Sequence, residues 1–188
     1  MEARFLSRAE IGGAVSVALW GALIAVGAYV AAPLGPVPFT LQTFFLFLCA
    51  FREGSKRASQ ATSLYLAAGL AGLPIFTGGL AGPSLLLGPT AGFALSFPVA
   101  AWVAGGGARG GKVSPLKFIV RGLLGEALIV GMGALGLTLN LGLDWRAALG
   151  VALVFVPGDA LKICVAALLA VGYLRKRAVA RAPKPKEA

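Results

Sequence analysis

The chain has 188 residues, of which 58% are apolar and only 13% charged, with a net charge of +10. A soluble domain carries about a quarter of its residues as charges, so half that share, with a mean hydropathy of +0.86, excludes a water-covered globule and requires lipid as solvent. The positive charge does not indicate nucleic acid, because the basic residues are divided among short loops and the two ends and form no single patch.

At about 20 apolar residues per crossing, the length allows no more than about seven crossings in one membrane domain spanning 1–188. The first predicted helix covers about 11–32 and ends at Pro33-Leu-Gly-Pro-Val-Pro38, where three prolines forbid helix. A short second helix follows over 39–53, up to the charged turn Arg52-Glu-Gly-Ser-Lys-Arg57. The third, 56–73, stops at Pro74 and the loop Thr77-Gly-Gly-Leu-Ala-Gly-Pro-Ser84. The fourth is placed at 85–104, before Gly105-Gly-Gly-Ala-Arg-Gly-Gly-Lys112, and the fifth, 115–143, is long enough to tilt or overhang. The sixth, 157–175, opens with Pro157 in its first turn, where the missing N–H is harmless, and leaves a short basic tail at 176–188. The apolar residues of 144–156 fit either a short interfacial helix or part of a bent crossing. The N-terminus lacks the pattern of a removable signal, so the first helix is expected to be retained.

Lysine and arginine collect in cytoplasmic loops. With six crossings, 14 of the 17 basic residues fall on one side: Arg4, Arg8, Arg52, Lys56, Arg57, Arg109, Lys112, Lys117 and six in the tail. The opposite loops hold only Arg146, so both termini are expected in the cytoplasm, with Lys162 near the outer face and Arg121 near the inner one. The basic tail also suits anionic membrane lipid.

The absence of histidine removes His-based nucleophilic catalysis and the common zinc sites, and no phosphate-cradling motif of the Gly-x-x-x-x-Gly-Lys-Ser type is present, since Val113 follows Lys112. The chain is expected to be no enzyme, to need no cofactor or metal, and to draw energy from a partner or a gradient. Cys49 and Cys164 read as small buried hydrophobes.

Two charges, Asp159 and Lys162, one turn apart in Phe155-Val-Pro-Gly-Asp-Ala-Leu-Lys162, lie inside an apolar run. An intramembrane ionisable residue is by default a functional site. Other polar or special groups are expected at the same outer depth: Thr40 and Gln42 beside Phe39, Tyr65, Asn140, and Gly88 with Thr90 at a helix start, where free N–H groups suit an anion. Each also has a plain structural reading, as helix cap, interfacial aromatic or ion-pair neutraliser. Glu126 is the one other acid well inside a helix, and with Arg121 it reads as a structural pair. On the first helix Ala14, Ala18 and Ala22 share one face, fit for close packing with another helix.

Val37-Pro-Phe-Thr-Leu-Gln-Thr43, Gly72-Leu-Pro-Ile-Phe76, Leu87-Gly-Pro-Thr-Ala-Gly-Phe93 and Phe155-Val-Pro-Gly-Asp-Ala-Leu-Lys162 together resemble the BioY family, the biotin-binding S-components of energy-coupling factor transporters. The resemblance runs from Ile11 to Tyr173. It implies an all-helical S-component-like fold with six transmembrane helices, biotin taken from outside, and as partners a transmembrane T-component and two ATP-binding-cassette ATPases. Asp159 and Lys162 then become acceptor and donor for the ureido ring, Phe39, Phe76 and Phe93 flank ring and chain, and the alanine face resembles the surface that docks on the T-component. Some members carry a further basic residue between helices three and four, whereas 58–108 holds none here. The biotin carboxylate is thus left to Lys162, to amides near Gly88 and Thr90, or to solvent. Rival readings are an S-component for another vitamin, a self-sufficient secondary carrier, and a passive channel or structural membrane protein.

Overall fold

Ser7 starts the first helix by a reciprocal cap: its hydroxyl accepts the Glu10 N–H at 3.3 Å, and the Glu10 carboxylate accepts the Ser7 N–H at 2.8 Å. The computed structural model describes residues 7–106 and 114–181, with side chains as far as 180. Within them the chain runs α1 (Arg8–Tyr29), β1 (Ala31–Ala32), β2 (Phe39–Thr40), α2 (Gln42–Glu53), α3 (Ser55–Leu70), α4 (Ala91–Gly105), α5 (Pro115–Leu141), α6 (Trp145–Leu153) and α7 (Val156–Arg181).

Helices α1, α5 and α7 are long and apolar enough to cross a membrane, with spans of 22, 27 and 25 residues. At 1.5 Å per residue these reach about 33–40 Å, against about 30 Å of hydrocarbon. Leu19, Val120, Leu139, Leu161 and Leu168 are exposed on the outside. So continuous an apolar exterior requires lipid around it.

Several predicted boundaries are corrected. Helix α2 begins at Gln42, not 39, because the prolines before it keep the chain extended and Thr40 Oγ1 takes the Gln42 N–H. Helix α3 stops at Leu70, short of 73, and Gly72 follows with a left-handed φ of +109°. The predicted start of the fourth helix, 85–90, is instead a 3-10 turn, Gly82–Leu87, and then Gly88-Pro89. Proline bars the α region to the residue before it, so α4 starts only at Ala91. Helix α7 runs on through the first part of the expected tail to Arg181, since 173–181 contains no glycine or proline. Between α5 and α7, the ambiguous segment is a separate short helix, α6, capped by Asp144, whose side chain accepts the Arg146 N–H at 2.8 Å.

Helices α4 and α5 pack with their backbones almost touching. A Cβ on Gly92 would fall on the Met132 carbonyl oxygen, and one on Gly136 would meet the Gly92 backbone. Small residues at such crossings are what lets membrane helices approach in the absence of a hydrophobic drive between them. Stacked rings fill the centre, with Phe51 and Phe118 centroids 5.0 Å apart and Phe47 and Phe51 6.2 Å apart.

The contacts divide the bundle into two ends. At one, Glu53 pairs with Arg57 at 3.3 Å, and the Arg52 guanidinium lies over the Tyr173 ring at 3.7 Å and the Trp20 ring at 5.4 Å. The Ser55 hydroxyl donates to the Trp102 carbonyl, and Arg121 donates to that of Val103. This end therefore gathers the start of α5, the α2–α3 junction and the ends of α4 and α7. Arg4, Arg109, Lys112, Lys184 and Lys186, also assigned to that side, lie outside the described residues. The other end holds the β1–β2 ribbon, the segment between α3 and α4, and the start of α7.

Candidate functional site

The ribbon pairs Ala31 with Thr40 and Ala32 with Phe39, antiparallel, and the Leu41 N–H reaches back to the carbonyls of Gly27 and Val30. Residues 39–43 are thereby fixed over the first turn of α7. Asp159 stands in that first turn, where the helix dipole favours a carboxylate. Lys162 follows three residues on, on the same face.

These parts form one buried network. Asp159 Oδ1 accepts from Lys162 Nζ and from Thr43 Oγ1, both at 2.7 Å. Lys162 Nζ donates also to Thr43 Oγ1 at 3.1 Å and to the Thr40 carbonyl, so its three protons have three protein acceptors. Asp159 is only 4% exposed and Lys162 8%. The ammonium also sits 3.5 Å from the centroid of the Phe39 ring, an attraction strengthened where water is excluded. Beside it, Gln42 Nε2 donates to the Tyr65 hydroxyl at 2.7 Å, while Gln42 Oε1 accepts from Thr40 at 3.0 Å and Thr77 at 3.1 Å.

An aromatic wall faces these groups. Phe155 stacks on Phe39 at 6.3 Å and meets Phe93 edge-on at 5.9 Å, and Phe76 stands edge-on to Tyr65 at 5.5 Å. Wall and network line a cavity that opens to the outside. Its lining, mostly apolar with a few placed polar groups, has the composition of small-molecule sites.

Phe39, Thr40, Gln42, Tyr65, Phe76, Thr90, Phe93, Asp159 and Lys162 all line this cavity. Gly88 and Asn140 stand apart from the lining: the Asn140 amide donates to the carbonyls of Gly88 and Leu86 at 2.8 and 2.9 Å, and the Gly88 N–H is taken by Leu85. They tie α5 to the turn before α4. Thr43, Thr77, Phe97, Glu126, Ile129 and Phe155 are lining residues that sequence reasoning missed. Thr43 and Phe155 stood inside the quoted motifs, and the signal for Glu126 was its being a lone acid within an apolar helix. The Arg121–Glu126 pair is not formed: Arg121 reaches the Val103 carbonyl, and both Glu126 carboxyl oxygens lack a partner among the described residues. Five residues turn a helix by about 140°, which sends the two side chains to different sides. Ala14, Ala18 and Ala22 are all exposed on α1, and Cys49 and Cys164 are free thiols, buried and half-buried.

The fold and this cavity define a multi-pass helical membrane protein with a small-molecule site at one end. The model of the BioY family matches residues 2–179. A Biotin transporter BioY of Thermotoga maritima is 39% identical over 168 residues, covering 89% of this chain and 98% of that protein. A probable biotin transporter BioY of Pyrococcus horikoshii is 37% identical over 154 residues, covering 82% and 91%. A crystal structure at 2.1 Å of the S-component for biotin from an ECF-type ABC transporter shares the fold, with a TM-score of 0.82, 24% identity, and coverage of 92% of this chain and 95% of that one. The chain belongs to the BioY family.

Proposed function

We propose that this chain is a biotin-capturing S-component, a single membrane domain over 1–188 that takes biotin from outside the cell and delivers it across the cytoplasmic membrane. The observation that carries the reading is the Asp159–Lys162–Thr43 network closing one side of an aromatic-walled cavity. Biotin presents two ring N–H donors, one ring carbonyl, an apolar bicycle and chain, and an anionic carboxylate. Asp159 Oδ2 makes no hydrogen bond among the described residues and accepts a ring N–H. Lys162 exchanges its longest bond, to Thr43, for the ring carbonyl, a charge-assisted contact. Gln42, Thr40 and Tyr65 hold residues 39–43 in register, while Phe39, Phe76, Phe93 and Phe155 flank the bicycle.

In this reading six crossings are made by α1, α2, α3, α4, α5 and α7, the shorter helices being completed by the flanking turns. The basic end faces the cytoplasm, with both termini there, as the positive-inside rule favours. The exposed alanine face of α1 contacts a transmembrane T-component, which couples the domain to two ATP-binding-cassette ATPases; the chain by itself catalyses no reaction.

The test is equilibrium binding of radiolabelled biotin to the purified protein in detergent. Tight binding that weakens at least about tenfold in Asp159→Asn is expected. No binding by the wild type overturns the assignment, and preference for a different vitamin in a competition panel reassigns the ligand. Gly158→Ala probes the aromatic wall, since a Cβ there would overlap the Phe39 ring. Displacing that ring from Lys162 and Phe155 is expected to leave the chain folded and lower biotin affinity about tenfold. Unchanged affinity in a titration would show Phe39 to be dispensable.

A further inference from the structure

Glu126 is 3% exposed, lies in the lining of the cavity, and has both carboxyl oxygens without a partner among the described residues. Its nearest titratable neighbour is a second carboxyl, Asp159, and two carboxyls share at most one proton, so the pair stays short of hydrogen-bond donors. Arg121 supplies none, since it reaches the Val103 carbonyl instead. Lys162 is the one ammonium in the lining, and its three protons are already held by Asp159, Thr43 and the Thr40 carbonyl. Two neighbouring carboxyls therefore face the cavity with one cation, and the surplus is in hydrogen-bond acceptors. A ligand suited to this lining brings donors.

The acceptors can be counted against the proposed ligand. Gln42 Oε1 already accepts from two hydroxyls, and Asp159 Oδ1 from two donors. What stays open is Asp159 Oδ2 and the Glu126 carboxyl, one on α7 and one on α5, neighbours in the same cavity wall. A cyclic urea carries its two N–H groups on opposite sides of the ring carbonyl, so one acceptor serves only one of them. Resting on the biotin reading, we infer that Glu126 is a second ligand-contacting carboxyl, accepting the ring N–H that Asp159 does not reach. The cavity is thereby selective for a ring with two N–H donors, because an analogue lacking one leaves a buried acceptor unpaired.

The experiment measures biotin and its two singly N-methylated ureido derivatives on the wild type, Glu126→Gln and Glu126→Leu, with folding followed by gel filtration and thermal melting. On the wild type, methylation of either nitrogen is expected to weaken binding about ten- to hundredfold, since each nitrogen faces a charged acceptor. Glu126→Leu is expected to weaken biotin by a similar factor and Glu126→Gln by less. The penalty for one methyl group, and not the other, then shrinks in Glu126→Leu. Wild-type binding that tolerates a methyl group on either nitrogen overturns the inference without recourse to any variant. So do folded variants that bind biotin as the wild type does, or methyl penalties that are the same with and without Glu126. In these cases the biotin assignment survives, whereas failure of the wild type to bind biotin at all removes both.

Discussion

Lys162→Ala is expected to abolish measurable biotin binding and to lower stability by about 3–5 kcal/mol, the range for removing one member of a buried ion pair. The effect is large because one nitrogen serves four groups: Asp159 Oδ1, Thr43 Oγ1, the Thr40 carbonyl and the Phe39 ring. Without it Asp159, 4% exposed, keeps only the Thr43 hydroxyl, and the neighbouring Glu126 carboxyl is left beside a second uncompensated carboxylate. Residues 39–43 are then hydrogen-bonded to α7 through Thr43 alone. The double variant Asp159→Leu with Lys162→Met separates stability from function. Replacing both members by apolar residues is often neutral or stabilising, so melting in detergent is expected to return to near the wild-type temperature while binding stays absent. A single variant as stable as the wild type would show the pair to be solvated, and a double variant that still binds biotin would remove the pair from the site.

Gly92→Ala is expected to cost at least about 3 kcal/mol, at or beyond the upper end for overpacking, because the added carbon meets backbone and not a yielding side chain. The Met132 carbonyl cannot turn away without breaking a helical hydrogen bond of α5. The two helices must separate, and they carry Phe93, Phe97, Glu126 and Ile129 of the cavity lining. Binding is therefore expected to fall together with the melting temperature. A normally folded, normally binding Gly92→Ala protein would mean that α4 and α5 slide past each other freely.

The helix pattern was legible wherever an apolar run met a strong stop. Pro33, Pro36 and Pro38 ended the first helix and Gly142, in a left-handed conformation, the fifth, each within a few residues of the expected bound. The errors gathered where local chemistry competes with periodicity. Leu85, Leu86 and Leu87 read as helix, but Gly88-Pro89 interrupts them and the segment closes into a tighter turn. The tail beyond 175 read as loop from its charge, although charge does not stop a helix and its first glycine or proline comes only at Pro183.

The site divides in the same way. Asp159 and Lys162 stood out because a charge in an apolar run is costly, and their three-residue spacing already put them on one face of a helix. Thr43 carried no such signal, since a threonine in an apolar run is unremarkable until Asp159, 116 residues away, is seen to accept its proton. Glu126 did carry the signal, but Arg121, five residues before it, turns to the Val103 carbonyl instead.

From its residues alone the chain determined its solvent, most of its helices and the pair of charges around which a site could form. Those properties follow from local transfer free energies and from the period of a single helix. Only the tertiary structure decided that β1 and β2 clamp residues 39–43 onto α7, that all three protons of Lys162 are taken, and that Gly88 and Asn140 belong to a structural tie. It alone left Glu126 facing the cavity unpaired. Hydrogen-bond partnership depends on which helices lie side by side, and that is set by close backbone packing such as Gly92 against Met132, which no periodicity in one helix encodes.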